Sequence, residues 1–266
     1  MSARRKLKDL AKDPRFISGV YNYCDRWCER CPLTSRCLTY AMEQEDAGDP
    51  ASRDITNRAF WQRLEGILRE AHEMLDEILR ERGIELPPED AEAEQTLLQR
   101  RRDAHEHPYA VAATEYAQGV TAWFETAAPR FQARGEALES QHRMGLSTVD
   151  PKADAERLGD AVEVIRWYQH QIAVKIMRAV GSRAREVAIE DELDQSDADG
   201  SIKVALLGMD RSMAAWTELL RQLPEEEDRI LPLLVTLNRL SRDVEAAFPN
   251  ARAFVRPGFD TGEAAA

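Results

Sequence analysis

Apolar residues recur every three or four positions along most of the chain, which is the spacing of amphipathic α-helices and not of β-strands. The pattern is clearest in four consecutive segments between residues 108 and 248. Each segment carries one apolar stripe, and the first stripe consists of Tyr109, Ala113, Tyr116, Val120, Trp123 and Ala127. Such stripes, joined by short connections, predict an all-α fold whose C-terminal part, residues 108–248, is an antiparallel four-helix bundle.

Breaks in this pattern divide the rest of the chain. Prolines and glycines separate an N-terminal helical segment at residues 1–50 from a long helix and a connector helix at residues 51–104. Within the first segment, the pattern predicts a helix from Phe16 to Cys31 that ends at Pro32. Residues 249–266 contain Pro257 and Gly258 and end in TGEAAA, so we expect a flexible tail.

The composition suits a soluble helical protein, because 43% of the residues are hydrophobic, 32% are charged and only 7% are aromatic. No apolar run approaches the roughly 18–20 residues that a transmembrane helix requires, so we expect no membrane partner. The basic N-terminus has no apolar core of the kind found in secretory signals, which favours a cytoplasmic location.

Charge is distributed unevenly along the chain. The formal net charge is −12, yet residues 1–37 contain nine basic and four acidic side chains. An acidic bulk repels nucleic acid, so we expect no nucleic-acid partner. A protein partner or a redox partner of unknown identity stays open.

All four cysteines of the chain lie within one stretch, YCDRWCERCPLTSRC at residues 23–37. On the predicted helix the first three occupy positions i, i+4 and i+7 and share one face, and the fourth returns after Pro32. In a reducing cytosol, clustered cysteines more often bind metal than form disulfides, and thiolate sulfur is a soft ligand for zinc or iron. The spacing therefore predicts one metal site with the ligands Cys24, Cys28, Cys31 and Cys37.

The spacing favours a [4Fe–4S] cluster over Zn²⁺ at this site. Structural zinc sites usually contain two close pairs of cysteines separated by a longer loop, whereas this motif has a single C-x₂-C with spacings of three and five around it. Four protein ligands close the site, which predicts a structural or electron-transfer role. Two alternatives remain: a zinc-stapled helical interaction module without catalysis, and a redox enzyme whose reaction site lies in the bundle.

The segment CERCPLTSRC resembles the C-x₂-C-x₅-C clasp that holds a [4Fe–4S] cluster in RecB-like CRISPR-associated nucleases. The resemblance covers ten residues, and the strands that carry the nuclease site have no counterpart in the pattern of this chain. It therefore implies a cluster but no nuclease activity. The whole chain, including YNYCDRWCERCPLTSRC, is also similar to bacterial helical proteins of unassigned activity, and that similarity implies no function.

A second candidate site consists of polar residues within the predicted bundle. One group shares a helix edge and the other interrupts the apolar run VALLGMDRSMAAW on the next helix; the residues are Glu163, Arg166, His170, Asp210 and Arg211. If buried, they would have to pair with one another, and they could then fix the helix register or line a pocket. The alternative is that they lie on exposed bundle edges.

Overall fold

The structure is a computed structural model of the chain, and it describes residues 7–45, 51, 54–84, 91–145, 150–186 and 195–261. The protein is all-α: helix makes up 81% of it, and the described residues contain no strand. This confirms the fold class predicted from the apolar pattern. None of the helices in the described ranges is both long and apolar enough to cross a membrane.

The described residues form eight α-helices, and the order along the chain follows the predicted order of helical segments. Their bounds are α1 Leu7–Ala11, α2 Leu38–Glu45, α3 Arg58–Arg82, α4 Ala91–Glu106, α5 Pro108–Met144, α6 Pro151–Glu186, α7 Asp197–Gln222 and α8 Glu227–Ala247.

The chain divides into two compact units. The first, which we call the cysteine unit, comprises Met1–Glu94 together with Val255–Ala266, and the second, the helical unit, comprises Gln95–Phe254. This division differs from the predicted one because the C-terminal residues from Val255 onward belong to the same unit as the cysteines. The five residues 262–266 of the predicted tail lie outside the described residues.

Four long helices build the core of the helical unit. Helix α6 packs against α5 and α7, and α8 also packs against α5 and α7. The stripe predicted on α5 lies in this core, where Tyr116 and Trp123 are buried. The indole nitrogen of Trp216 donates a hydrogen bond to the Tyr116 hydroxyl at 2.9 Å, and the Trp123 ring stands edge-on to Trp216 at 5.0 Å. Apolar burial with paired polar atoms gives this unit a substantial core of its own.

Helix α3 begins and ends where the local sequence dictates. The side chain of Asn57 accepts a hydrogen bond from the backbone N–H of Ala59 at 2.9 Å and so caps the first turn. Gly83 ends the helix in the left-handed conformation, with φ of 64°, which a residue without a Cβ adopts at little cost. The apolar stripe predicted for this helix is not buried, since α3 contains no buried residue.

The cysteine unit has a much smaller core. Among its described residues from 7 to 45 and from 255 to 261, the buried apolar side chains are those of Leu10, Val20 and Leu33. A backbone hydrogen bond from the N–H of Ile17 to the carbonyl of Arg36, 3.0 Å long, joins the turns before and after the cysteine motif.

Helices α6 and α7 approach each other closely at Gly208. A Cβ built at this position would lie 2.9 Å from Cδ1 of Tyr168 and 3.4 Å from Cγ1 of Ile172. Both neighbours are buried, so neither ring nor branched side chain has room to withdraw. The absence of a side chain at Gly208 therefore permits this helix contact.

We expect Gly208→Ala to lower the free energy of unfolding by about 1–2 kcal/mol, because overpacking outweighs the better helix propensity of alanine. The matched control is Gly159→Ala on the exposed surface of α6, where an added Cβ meets no atom within 4 Å. This control should raise stability by up to about 1 kcal/mol. Urea denaturation of both variants measures the effect, and a Gly208→Ala variant as stable as wild type would contradict the packing.

Candidate metal centre

The four cysteines line a single cavity in the cysteine unit. The sulfur-bearing residues share this cavity with apolar and aromatic side chains that include Leu33, Trp27, Tyr40 and Phe259. The cavity has a volume of about 20 Å³, far below the roughly 300–1,000 Å³ of organic-ligand pockets. Each cysteine is half-buried and carries its sulfur as a thiol. All four cysteines thus line one cavity, and their role as metal ligands stays a prediction.

The backbone that positions the cysteines is a series of tight turns. Cys28 opens the 3₁₀ helix Cys28–Arg30, and Cys31 follows it in an extended conformation, with its N–H 3.2 Å from the Cys28 carbonyl. A second 3₁₀ helix, Thr34–Arg36, places Cys37 in the same way. Cys31 and Cys37 are therefore the first extended residues after a single 3₁₀ turn.

The prediction of one helix from Phe16 to Cys31 is wrong, and so is the helix face on which three thiols were to lie. The chain between Cys24 and Cys28 is not helical, because Asp25 accepts a hydrogen bond from the N–H of Trp27 and Arg26 has a positive φ of 58°. A local side-chain bond of this kind competes with helical bonding, and a non-glycine residue in the left-handed region breaks a right-handed helix.

The environment raises the pKa of two of the four thiols, those of Cys28 and Cys31. Burial raises the pKa of the Cys28 thiol, and the negative charges of Glu43 and Cys24 add to this effect. Burial also raises the pKa of Cys31, although the N–H of Leu33, with its nitrogen 3.4 Å from the Cys31 sulfur, acts in the opposite direction. Cations that ligate these sulfurs must displace their protons, so metal binding at this cavity is coupled to pH.

Arginines stand beside the cavity, as the sequence suggested, but they have partners of their own. The guanidinium of Arg30 lies over the Trp27 ring at 4.0 Å. Arg26 pairs with Glu43 at 3.7 Å, and its charge also lowers the pKa of Cys28. Both groups supply positive potential close to the sulfurs.

The sulfurs do not converge on a single point. Among the residues that the structure describes, no group of three or more His, Cys, Asp or Glu side chains is arranged to hold one metal ion. The cysteines therefore share a cavity without forming a preformed single-ion site.

The comparisons with known proteins return no relative. The chain matches no protein-family model, no curated protein and no solved structure. Any function must therefore be argued from the residues and their geometry.

The five residues of the predicted bundle network have other partners. Asp210 pairs with Arg252, and one carboxylate oxygen lies 3.2 Å from the guanidinium Nη2. Arg211 donates a hydrogen bond to the Tyr168 hydroxyl.

On α6, Glu163, Arg166 and His170 are exposed, and Arg166 lies over the Phe124 ring at 4.4 Å. His170 Nε2 lies 2.9 Å from Nε2 of the adjacent Gln169. These contacts place the predicted network residues on the surface of the helical unit, which was the alternative left open by the sequence.

A buried polar cluster exists elsewhere in the helical unit, where sequence reasoning did not place one. Asp154, in the first turn of α6, is buried and accepts hydrogen bonds from Arg157 and, at 3.2 Å, from Arg221 at the end of α7. The side chain of Gln222 donates to the Asp154 carbonyl at 3.0 Å and accepts from Arg134 of α5 at 3.1 Å. Two features of the sequence could have indicated this cluster. Asp154 is an acidic residue at the start of α6, and Arg221 and Gln222 are polar residues at the end of α7.

Replacing Asp154 tests this cluster, with Asp210 as the matched control. Asp154→Ala removes the carboxylate that pairs with Arg134, Arg157 and Arg221, and we expect a loss of about 1–3 kcal/mol in the free energy of unfolding. Asp210→Ala removes an ion pair in which both side chains are more than 40% exposed, so its loss should stay below about 1 kcal/mol. Equal effects of the two changes, measured by chemical denaturation, would contradict the assignment.

The Asp154 effect should also depend on pH. The hydrogen bond from Arg157, followed by that from Arg221, lowers the pKa of Asp154 in the folded protein. Its stabilisation is then present above the ordinary aspartate pKa of about 3.9 and is lost as the pH falls below that value. The stability difference between wild type and Asp154→Ala should therefore shrink when denaturation is repeated in acid.

Proposed function

We propose that Cys24, Cys28, Cys31 and Cys37 bind a metal centre that holds the N-terminal part of the protein folded. The observation that carries the proposal is that all four cysteines of a 266-residue chain line one small cavity. Four thiolates are soft ligands, and a cation that binds them displaces the protons of the thiols.

The size of the apolar core supports the need for such a centre. In the described residues 7–45 and 255–261, three large apolar side chains are buried, whereas the helical unit buries many more. Segments of this size rarely remain folded on apolar burial alone, and natural examples add disulfides or a structural metal. The four cysteines of this unit are thiols and form no disulfide, so a bound metal is the cross-link that they could provide.

The arrangement of the sulfurs supports a [4Fe–4S] cluster as the occupant. In a tetrahedral zinc site each sulfur lies about 2.3 Å from one ion, so the four sulfurs lie about 3.8 Å apart. In a cubane cluster each cysteine binds a different iron, and the sulfurs are held farther apart. The irregular spacing of the four cysteines, with a single C-x₂-C, favours the second case.

Zinc is the second candidate, and two observations favour it. The turns that precede Cys31 and Cys37 are tight, and the N–H of Leu33 points at the Cys31 sulfur, an arrangement that suits a compact thiolate site. The cavity volume of about 20 Å³ is also closer to that of one ion than to that of a cluster. Metal analysis separates the two candidates.

A centre with four cysteine ligands keeps no open position for substrate, which favours a structural or electron-transfer role over hydrolysis. A [4Fe–4S] cluster supplies one-electron chemistry when it is bound. The chain's own contribution is to limit water with aromatic side chains such as Trp27 and Tyr40, and to place the Arg26 and Arg30 cations beside the sulfurs.

The reading as a redox enzyme has weaker support. It required a pocket between Glu163, His170 and Asp210 in the helical unit. An open cleft does lie along α6 and α7, but its lining, which includes Arg157, Arg211 and Glu218, contains none of these three residues. We therefore propose a metal-binding helical protein of the cytoplasm that acts with a protein or redox partner.

The finer architecture is part of the proposal. We infer that α5–α8 form an antiparallel four-helix bundle, because each helix packs against two of the others. The contact between Asp154 at the start of α6 and Arg221 at the end of α7 supports the antiparallel order of these two helices.

Metal analysis of protein purified without oxygen tests the centre. We expect stoichiometric iron and sulfide, with a broad visible absorption that bleaches on reduction. Colourless protein with one zinc per chain would establish the second candidate instead. Metal-free protein after this purification, with four thiols titrating independently, would contradict the centre itself.

Single replacements identify the ligands. Each Cys→Ser change should lower metal affinity by more than about tenfold, because even partners outside the ligand set contribute 10–100-fold. The matched control is Asp25→Asn, which alters a cavity-lining carboxylate but keeps an oxygen that can accept the hydrogen bond of Trp27. Full metal content in any one of the Cys→Ser variants would remove that residue from the ligand set.

A further inference from the structure

The last described residues of the chain form a closed turn. The N–H of Arg256 donates to a carboxylate oxygen of Asp260 at 2.9 Å, and the Arg256 guanidinium pairs with the other oxygen at 3.0 Å. The N–H of Asp260 returns a hydrogen bond to the Arg256 carbonyl at 3.1 Å, and Arg256 also lies over the Phe259 ring at 4.8 Å. Residues 255–260 are therefore a shaped element, which we call the C-terminal strap.

Gly258 seats the strap on the small core of the cysteine unit. The glycine is buried and has a φ of 76°. A Cβ at this position would lie 2.8 Å from Cδ1 of Ile17, 3.1 Å from Cδ1 of Leu33 and 3.5 Å from Cγ2 of Val20. A side chain is excluded both by the backbone conformation and by this contact, so the strap lies directly against the residues that support the cysteine turns.

Phe259, the next residue, reaches the cysteine cavity itself. Its side chain lines the cavity together with all four cysteines, although it stands at the opposite end of the sequence. The ring is half-buried. An aromatic ring in this position replaces water beside the sulfurs, and the apolar shell of a metal site controls solvent access and the stability of its bound group.

We propose that the C-terminal strap is part of the cysteine centre and that Phe259 closes the cavity against water, oxidants and chelators. The inference rests on the proposed function for its metal, whereas the place of Phe259 beside the four cysteines is an observation that does not depend on it. Phe259 is a positioning and shielding residue, and it supplies no ligand. The centre is complete only when the last part of the chain has reached the cysteine turns.

The test compares full-length Phe259→Ala with wild type by two measurements. The first is the rate at which iodoacetamide alkylates the four cysteines of the protein as purified, followed by mass spectrometry. The second is the rate at which EDTA, or an iron chelator, removes metal from the protein as purified. We expect Phe259→Ala to accelerate both rates several-fold. Phe259→Leu, which keeps an apolar side chain, should restore most of the protection.

Val255→Ala is the matched control, because Val255 lies in the strap but is 42% exposed, and this variant should react at the wild-type rate. The helical circular dichroism and melting temperature of α5–α8 verify that each variant is folded. If Phe259→Ala is alkylated and loses metal at the wild-type rates, the proposal that the strap shields the cysteines is wrong. Accelerated alkylation in a protein that binds no metal would keep the strap and reject the proposed centre, so the two failures are distinguishable.

Discussion

Thiolate–metal bonds are the interaction on which the account of the cysteine unit depends. Its described turns bury Leu10, Val20 and Leu33 and little else, and they bring four thiols into one cavity. Ordering several tens of residues costs roughly 1–2 kcal/mol each in backbone entropy, which three buried side chains do not offset. Under the proposed function, a metal that binds all four sulfurs at once would supply the missing free energy.

In the helical unit, apolar burial is large enough to hold the fold without a metal. Its four long helices bury a continuous apolar core, and the close approach at Gly208 shows how tightly α6 and α7 interlock. Its buried carboxylate, Asp154, has arginine partners from neighbouring helices, so its burial is compensated. Such a unit needs no metal, and it gives the protein a stable body from which the cysteine unit is expected to fold and unfold separately.

Periodic parts of the sequence were predictable, and the parts governed by local turns were not. The stripe of α5 and the stop at Gly83 follow from helix spacing and glycine chemistry, and both are present. The cysteine turns were misjudged because Cys24, Cys28 and Cys31 happen to have helical spacing, while a side-chain bond from Asp25 and the left-handed Arg26 override it. That four cysteines share a cavity followed from their clustering alone.

Long-range contacts were beyond sequence reasoning for a different reason. Nothing in the residues around Phe259 indicates that this end of the chain reaches the cysteines, and Pro257 and Gly258 suggested a loose tail. Proline and glycine also suit a tight, closely packed turn, and the contact of Gly258 with Ile17 and Leu33 shows this second use. The Asp154 cluster was missed in the same way, because its partners come from three different helices.

Amide hydrogen exchange of the full-length protein, before and after metal removal, tests the central claim most directly. Peptides from residues 10–45 and 255–261 should lose their protection when the metal is removed, because the apolar core of the cysteine unit is too small to hold them. Peptides from α5–α8 should keep their protection in both states. Unchanged protection of residues 10–45 after complete metal removal would contradict the claim that the cysteine unit depends on its metal centre.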